Sequence, residues 1–293
     1  MRVAHLSDVH ISNVPATLLR MWWGKRLLGG GNMLLNRRRH MPNTNVERVV
    51  QHIVGQKPDV VLISGDLSTT ALEAEFKHAR ECLEPLTGLG PVVCIPGNHD
   101  MYTVGAQRAG LYAKFFAEWH GECEAEEGYP FAREVSNDVV CIGLNTSVPT
   151  DYLGSWGMLT DGQLERLPGL LQRYADRFRI VMIHHFLEDK HGTPGLPKRG
   201  LRNRDAFLAI LEEHGAELIL HGHEHACYQY TVPGPSGSTI PVLNSGPTSF
   251  VSTKPLKQGG YQMIEIQGKQ IQSVVRYGIQ PDHSWQSLEI TVP

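Results

Sequence analysis

The sequence predicts an α/β fold in which a largely parallel inner sheet is packed against a second, antiparallel one. Three observations carry this expectation. Short apolar runs at Val60–Ile63, 92–95, 179–183 and 217–220 have the length and β-branched content of strands buried on both faces. Helical stretches separate several of them at roughly 30 to 35 residues per unit, the rhythm of βαβ crossovers. From residue 239 onward, short alternating segments with Gly-containing turns read as antiparallel strands, at 240–244, 261–266, 271–277 and 288–292.

The chain has 293 residues, of which 41% are hydrophobic and 19% charged, which suits a soluble globular protein read as one domain over 1–293. A net charge of -3 argues against general nucleic-acid binding. Five cysteines, at 82, 94, 123, 141 and 227, lack CxxC spacing. That pattern predicts reduced thiols in a cytoplasm rather than a disulfide framework or a zinc-thiolate site. No basic-then-apolar leader precedes the first strand, and no run approaches the roughly 18 apolar residues of a membrane span.

Residues 2–6 alternate and run into Ser7-Asp8-Val9-His10. A strand repeats every two residues, so Asp8 and His10 are expected on one side, where a carboxylate and an imidazole can grip one metal ion.

An atypical segment follows. Residues 11–46 hold Arg20, Lys25, Arg26, Arg37, Arg38 and Arg39 and no acid, while the rest of the chain carries 21 basic and 30 acidic residues. Leucines, methionines, Trp22 and Trp23 are interleaved with these charges. Two readings stand for an insert at 14–43: basic amphipathic helices that contact an anionic membrane surface, or a helical cap whose apolar stripe packs on the main body.

Residues 45–55 predict a capped helix, Val60–Ile63 a strand ending in Ser64-Gly65-Asp66, and 71–86 a helix. The strand at 92–95 stops at Pro96-Gly97 and delivers Asn98, His99 and Asp100 at the sheet's carboxyl edge. An amide, an imidazole and a carboxylate in succession there suggest a metal ligand, a proton donor and its orienting partner.

A helix is expected at 110–119, an acidic loop at 122–128, a hairpin at 134–145 and a helix at 160–174 opened by Thr160. Asn145-Thr146-Ser147 and Trp156-Gly157 either line the cleft or serve structure. The strand at 179–183 ends in His184-His185, a metal ligand or a polar group at the sheet rim. The long loop 186–203, with Lys190, His191, Lys198, Arg199 and Arg202, is a candidate for phosphate recognition. Arg204–His214 is a helix closed by Gly215. The strand after it empties into His221-Gly222-His223-Glu224-His225, where His223 and His225 repeat the spacing of Asp8 and His10.

Strand ends thus present Asp8, His10, Asp66, Asn98, His99, His184, His223 and His225. Oxygen and imidazole donors without thiolates suit two divalent first-row ions, for which Mn, Fe, Zn and Ni all qualify. Two such ions lower the pKa of a shared water toward neutrality.

The ordered blocks SDVH, SGDL, PGNHD, IHH and HGHEHA resemble those of the calcineurin-like metallophosphoesterase superfamily, which includes purple acid phosphatases and bacterial cyclic-nucleotide or glycerophosphodiesterases. The resemblance spans about residues 1 to 250. It implies a four-layer αββα sandwich of two mixed β-sheets, with a dimetal centre. By the same resemblance, Asp8, His10 and His225 would hold one ion, Asn98, His184 and His223 the other, and Asp66 would bridge them. His99 would protonate the leaving oxygen, with Asp100 fixing its tautomer and His185 lying behind the ligands. The reaction implied is attack of a metal-bridging hydroxide on phosphorus. The purple acid phosphatase tyrosine has no counterpart, because Thr69 stands three residues after Asp66.

For substrate, a phosphodiester is the family default. A nucleotide-diphosphate lipid of the UDP-2,3-diacylglucosamine type would give the basic insert a role, with Arg26, Arg37, Arg38, His185, His191 and Arg199 as candidate substrate contacts. Such an enzyme would be cytoplasmic and peripheral to the inner membrane. A scaffold that keeps the fold without catalysis, like the retromer subunit of this superfamily, is the third reading, and the intact ligand set argues against it.

Overall fold

The computed structural model describes residues 1–13, 41–123, 125, 128–150, 154–194 and 198–292. The first strand, β1 (Arg2–Leu6), pairs in parallel with β2 (Val60–Ile63), which pairs in parallel with β3 (Val92–Cys94). Helix α1 (Asn43–Gln56) precedes β2, and α2 (Glu73–Leu83) connects it to β3. Two short helices, α3 (Val104–Arg108) and α4 (Leu111–Phe116), follow, and then the hairpin of β4 (Phe131–Glu134) with β5 (Val139–Gly143). Helix α5 (Asp161–Arg173) leads to β6 (Phe178–Met182), and α6 (Arg204–His214) leads to β7 (Leu218–His221). The chain ends with β8 (Cys227–Pro233), β9 (Thr239–Ser245), β10 (Gly260–Gln267), β11 (Gln270–Ile279) and β12 (Trp285–Glu289).

The parallel strands do not form one inner sheet. They divide between two mixed six-stranded sheets, ordered β12-β11-β10-β1-β2-β3 and β4-β5-β6-β7-β9-β8. The tail is likewise shared out. Strand β10 pairs antiparallel with β1 and carries β11 and β12 into the first sheet, whereas β9 lies parallel to β7 in the second. An alternating pattern reports that a strand is half-buried but not which edge it joins, so the expectation of a separate antiparallel sheet is corrected here.

Alternation along the strands builds four layers. Val3, Val60, Leu62 and Val93 meet Cys141, Ile180, Met182, Leu218 and Leu220 between the sheets. Their neighbours Ala4, Val61 and Ile63 face outward under Val49, Ile53, Phe76 and Leu83 of α1 and α2. On the opposite side Val181, Ile219 and Val242 pack under Leu167, Leu171, Phe207 and Leu211 of α5 and α6. Strands covered on both faces are apolar at every position, which is why they read as continuous runs in the sequence. The result is the αββα sandwich implied by the resemblance.

Several boundaries move. Helix α1 starts two residues early, and Asn45 is buried with its amide on Ser249 O at 3.2 Å, so it does not cap the helix. Helix α2 gives way to a 3-10 turn at Glu84–Gly88, where Pro85 interrupts the α-helical hydrogen bonding. The expected helix at 110–119 is α4 followed by a 3-10 turn, Ala117–Trp119; the hairpin opens at Phe131 rather than 134, and β12 ends at Glu289. Thr160 caps α5 by accepting from Gln163 N at 3.2 Å, and α6 has the expected bounds.

The side chain of Asn43 bonds the backbone of Ser12 in both directions, accepting from its N–H at 3.2 Å and donating to its C=O at 3.0 Å. Residues 12 and 43 are thus held side by side, and Met41 is buried. The basic insert, including Arg26, Arg37 and Arg38, otherwise lies outside the described residues. All five cysteines are free, and no helix among the described residues is long and apolar enough to cross a membrane.

Candidate metal centre

The strands of both sheets empty into one place, and the residues just past their ends bend sharply to meet. Asp8, His10, Asp66, His223 and His225 all have positive φ, between 48° and 75°. Left-handed backbone is costly for residues with a Cβ and persists where the surroundings enforce it. The one-residue spacing of Asp8 and His10 therefore comes from a bent loop after β1 rather than from strand alternation, and His223 and His225 repeat it after β7. Two glycines make room. A Cβ on Gly97 would lie 2.1 Å from Asp66 Oδ1, and one on Gly222 1.8 Å from Ser7 Oγ.

Donor atoms of Asp8, His10, Asp66 and His225 lie within 4.8 Å of one another. His10 Nε2 is 2.9 Å from His225 Nε2, and His225 Nε2 is 3.3 Å from Asp8 Oδ1. The backbone N–H of His223 donates to both oxygens of Asp8, at 3.0 and 3.2 Å. A second group gathers beside the first: Asn98 Oδ1 is 2.8 Å from His223 Nδ1 and 3.1 Å from His184 Nε2. Asp66 joins the two. Its Oδ1 accepts from the backbone N–H of His99 at 2.8 Å, leaving Oδ2 at 3.6 Å from His10 Nε2 and 3.4 Å from His184 Nε2. All seven predicted ligands are thus brought together.

These donors fit a pair of divalent cations. Lone pairs on nitrogen and oxygen converge in a buried space, and His223 Nε2 is the buried edge of a ring whose other nitrogen faces Asn98. His184 is aimed by its second nitrogen: Nδ1–H donates to Ser64 O at 2.8 Å, which leaves Nε2 toward the cluster. Burial disfavours charge on both Asp66 and His184, yet each offsets it for the other. The histidines 184, 99 and 10 hold Asp66 well below the usual carboxylate range, and Asp66 raises His184 to about 9.

His99 stands at the rim, its ring stacked on Tyr102 with centroids 5.4 Å apart. Its Nδ1 donates to the carbonyl of Thr69 at 2.7 Å. The expected Asp100–His99 pairing is therefore corrected. Both oxygens of the buried Asp100 are taken up elsewhere, by the N–H groups of Leu67, Ser68 and Gly97 and by Ser68 Oγ, at 2.8–3.1 Å. Burial and the neighbouring Asp66 charge raise its pKa to about 7.

A cleft of about 220 Å³ opens over the cluster, lined by Asp66, Asn98, His99, Ser155, Arg199, His223, Glu224 and His225. Among the described residues, Arg199 is the one predicted substrate contact found there; its NH2 lies 3.6 Å from Glu224 Oε1. His185 is fully buried, bonded to Thr146 Oγ1 at 2.7 Å and packed 4.7 Å from the His223 ring, behind the donor cluster and not among the residues that line the cleft. His191 sits on an exposed turn held by Asp189 and is not among the lining residues. The loops bearing Ser155 and Arg199 are tied together by Ser155 N→Lys198 O at 2.9 Å and Gly157 N→Gly200 O at 3.1 Å.

Sequence reasoning missed Ser64 and Thr69, which act through backbone carbonyls that carry no residue signature. It also gave Glu224 no role, although the HGHEHA block displays it.

The family described as calcineurin-like phosphoesterase matches residues 1–227. A probable cyclic nucleotide phosphodiesterase from Synechococcus is 24% identical over 237 residues, 79% of this chain and 76% of that protein. A cAMP/cGMP dual specificity phosphodiesterase from Mycobacterium tuberculosis is 28% identical over 216 residues, 70% of this chain and 59% of that protein. Among solved structures, a dimetal phosphatase from Danio rerio shares the fold with a TM-score of 0.61 at 11% identity, covering 100% of this chain and 99% of that one.

Proposed function

The chain belongs to the calcineurin-like phosphoesterase family of metal-dependent hydrolases, and from that premise we propose that it hydrolyses phosphodiesters, of the cyclic-nucleotide or glycerophosphodiester kind. The observation that carries the reading is Asp66 Oδ2, set between His10 Nε2 at 3.6 Å and His184 Nε2 at 3.4 Å. In this reading Asp8, His10 and His225 hold one ion, Asn98, His184 and His223 the other, and Asp66 serves both. Bound divalent ions supply Lewis acidity toward the phosphoryl oxygens and acidify water at neutral pH.

The protein's own groups do the rest. With Nδ1–H fixed on Thr69, the mobile proton of His99 resides on Nε2, from which the imidazolium form protonates the departing alkoxide. Arg199 exchanges its contact with Glu224 for a non-bridging phosphoryl oxygen. The left-handed backbone at five of the seven ligands fixes their directions before substrate arrives. The names of the Synechococcus and Mycobacterium relatives support a diester as substrate.

The lipid-pyrophosphate alternative depends on the insert at 14–43, of which residues 14–40 lie outside the described residues. One panel separates the readings. Metal-reconstituted protein, with and without residues 14–40, is assayed on bis-p-nitrophenyl phosphate, cyclic nucleotides, glycerophosphodiesters, a phosphomonoester and a UDP-diacylglucosamine lipid. Diester turnover that survives the deletion is expected. Silence on every diester beside rapid monoester or lipid cleavage overturns the proposal.

A further inference from the structure

A second cluster of metal-binding side chains lies outside the cleft, where α1 packs beside α2. A carboxylate oxygen of Glu47, a ring nitrogen of His78 and the sulfur of Cys82 all lie within 4.8 Å of one another. His78 and Cys82 are four positions apart on α2, so one helical turn stacks them on the same face, and Glu47 reaches them from α1. Tetrahedral bonds of ~2.3 Å to sulfur and ~2.0 Å to nitrogen or oxygen put ligand atoms about 3.3–3.5 Å apart. Closing the cluster thus requires at most about 1.5 Å of contraction, which staggered rotamers of these side chains can supply. Glu47 is exposed and the other two are half-buried, which leaves a path from solvent.

The local field favours a cation. Burial pushes the Cys82 thiol up to about 11, and the carboxylates of Glu47 and Glu81 add to the effect. The negative potential that opposes a bare thiolate attracts a positive ion, and one divalent ion neutralises the charges of Glu47 and an ionised Cys82 together. Sulfur in the donor set separates this cluster from the cleft, whose donors are nitrogen and oxygen alone, and selects thiophilic ions over magnesium or calcium.

We propose that Glu47, His78 and Cys82 form a peripheral binding site for a zinc-class divalent cation, which clamps α1 to α2. When the ion binds, the Cys82 S–H proton is released to solvent as the sulfur–metal bond forms. Asn43 Nδ2 approaches His78 Nδ1 at 3.4 Å, a contact long enough for an ion to displace. The clamp acts on the helix that begins where the segment 14–40 rejoins the described chain.

Cobalt(II) titration of the metal-free full-length protein tests the proposal, because only a thiolate ligand gives a near-ultraviolet sulfur-to-cobalt charge-transfer band. The band should reach the amplitude of one thiolate-bound cobalt per chain, while cobalt taken up by the nitrogen and oxygen donors of the cleft adds nothing to it, and zinc should displace it. Cys82→Ser should abolish it, and His78→Ala should weaken cobalt affinity by about a hundredfold or more, with bis-p-nitrophenyl phosphate hydrolysis in both variants within about twofold of wild type because neither residue lines the cleft. A band that never develops, grows without saturating, or survives Cys82→Ser overturns the site.

Discussion

His10 Nε2 and His225 Nε2 face each other at 2.9 Å although 215 positions separate them. Two neutral imidazoles can share at most one proton across such a gap, and both lone pairs are satisfied together only when a cation takes them. Asp66 completes the arrangement by presenting one oxygen to this pair's side and to His184. Asp66→Ala should lower divalent-ion affinity at least about a hundredfold and abolish diester turnover. Calorimetric ion titration with parallel rate measurements checks both, and an Asp66→Ala protein with normal ion binding would deny it the shared role.

His99 lines the cleft without belonging to the donor cluster. His99→Ala should retain bound metal and lose about 10²–10⁴ in kcat on a poor, alkoxide leaving group, with a smaller loss on p-nitrophenolate, which needs no proton to depart. Equal losses on both leaving groups would remove His99 from the proton-donor role.

Asp100 organises the loop through four hydrogen bonds from Leu67, Ser68 and Gly97. Asp100→Asn should reduce unfolding free energy by about 1–3 kcal/mol, because a carboxamide cannot accept at both ends and strands a buried N–H. The pH profile of kcat should keep its midpoint, since Thr69 holds the His99 ring. A displaced midpoint with unchanged stability would restore Asp100 as the orienting partner.

Glu224 places a nearly buried carboxylate on the cleft wall beside Arg199. A monoester dianion meets more repulsion there than a diester monoanion, by Coulomb's law at a few ångströms. Glu224→Gln should raise the ratio of monoester to diester kcat/KM by about tenfold. An unchanged ratio in a protein that still cleaves diesters would discount the carboxylate as a discriminator.

Burial lowers the pKa of His5 to about 3 and that of His120 to about 4, from 6.5. Below 6.5 the unfolded chain binds these protons and the folded chain does not. Stability is therefore full above about pH 6.5 and falls as pH drops toward 4, by about 1.4 kcal/mol per pH unit for each proton. Denaturant midpoints across that range should show the slope, and His120→Phe should flatten it; an identical slope in the variant would place the linkage elsewhere.

The donor cluster was legible because its members stand in short blocks at strand ends, where glycine and polar residues interrupt apolar runs. Residues that act through main-chain atoms, Ser64 and Thr69, left no such trace. Asp100 was readable as a carboxylate at a strand end but given the wrong partner, because adjacency to His99 in sequence does not aim a side chain. The loop turns it inward, onto backbone donors.

The sequence by itself determined which strands are apolar on both faces, which residues follow them, and a donor chemistry suited to divalent ions, because these are local properties of composition and spacing. Only the tertiary structure decided how the strands of the described residues divide between two sheets and which atom of Asp66 faces both clusters. It also decided that Arg199 rather than His185 or His191 overlooks the cleft. Strand partners and side-chain directions are set by packing and by hydrogen bonds between distant segments, which local spacing does not encode.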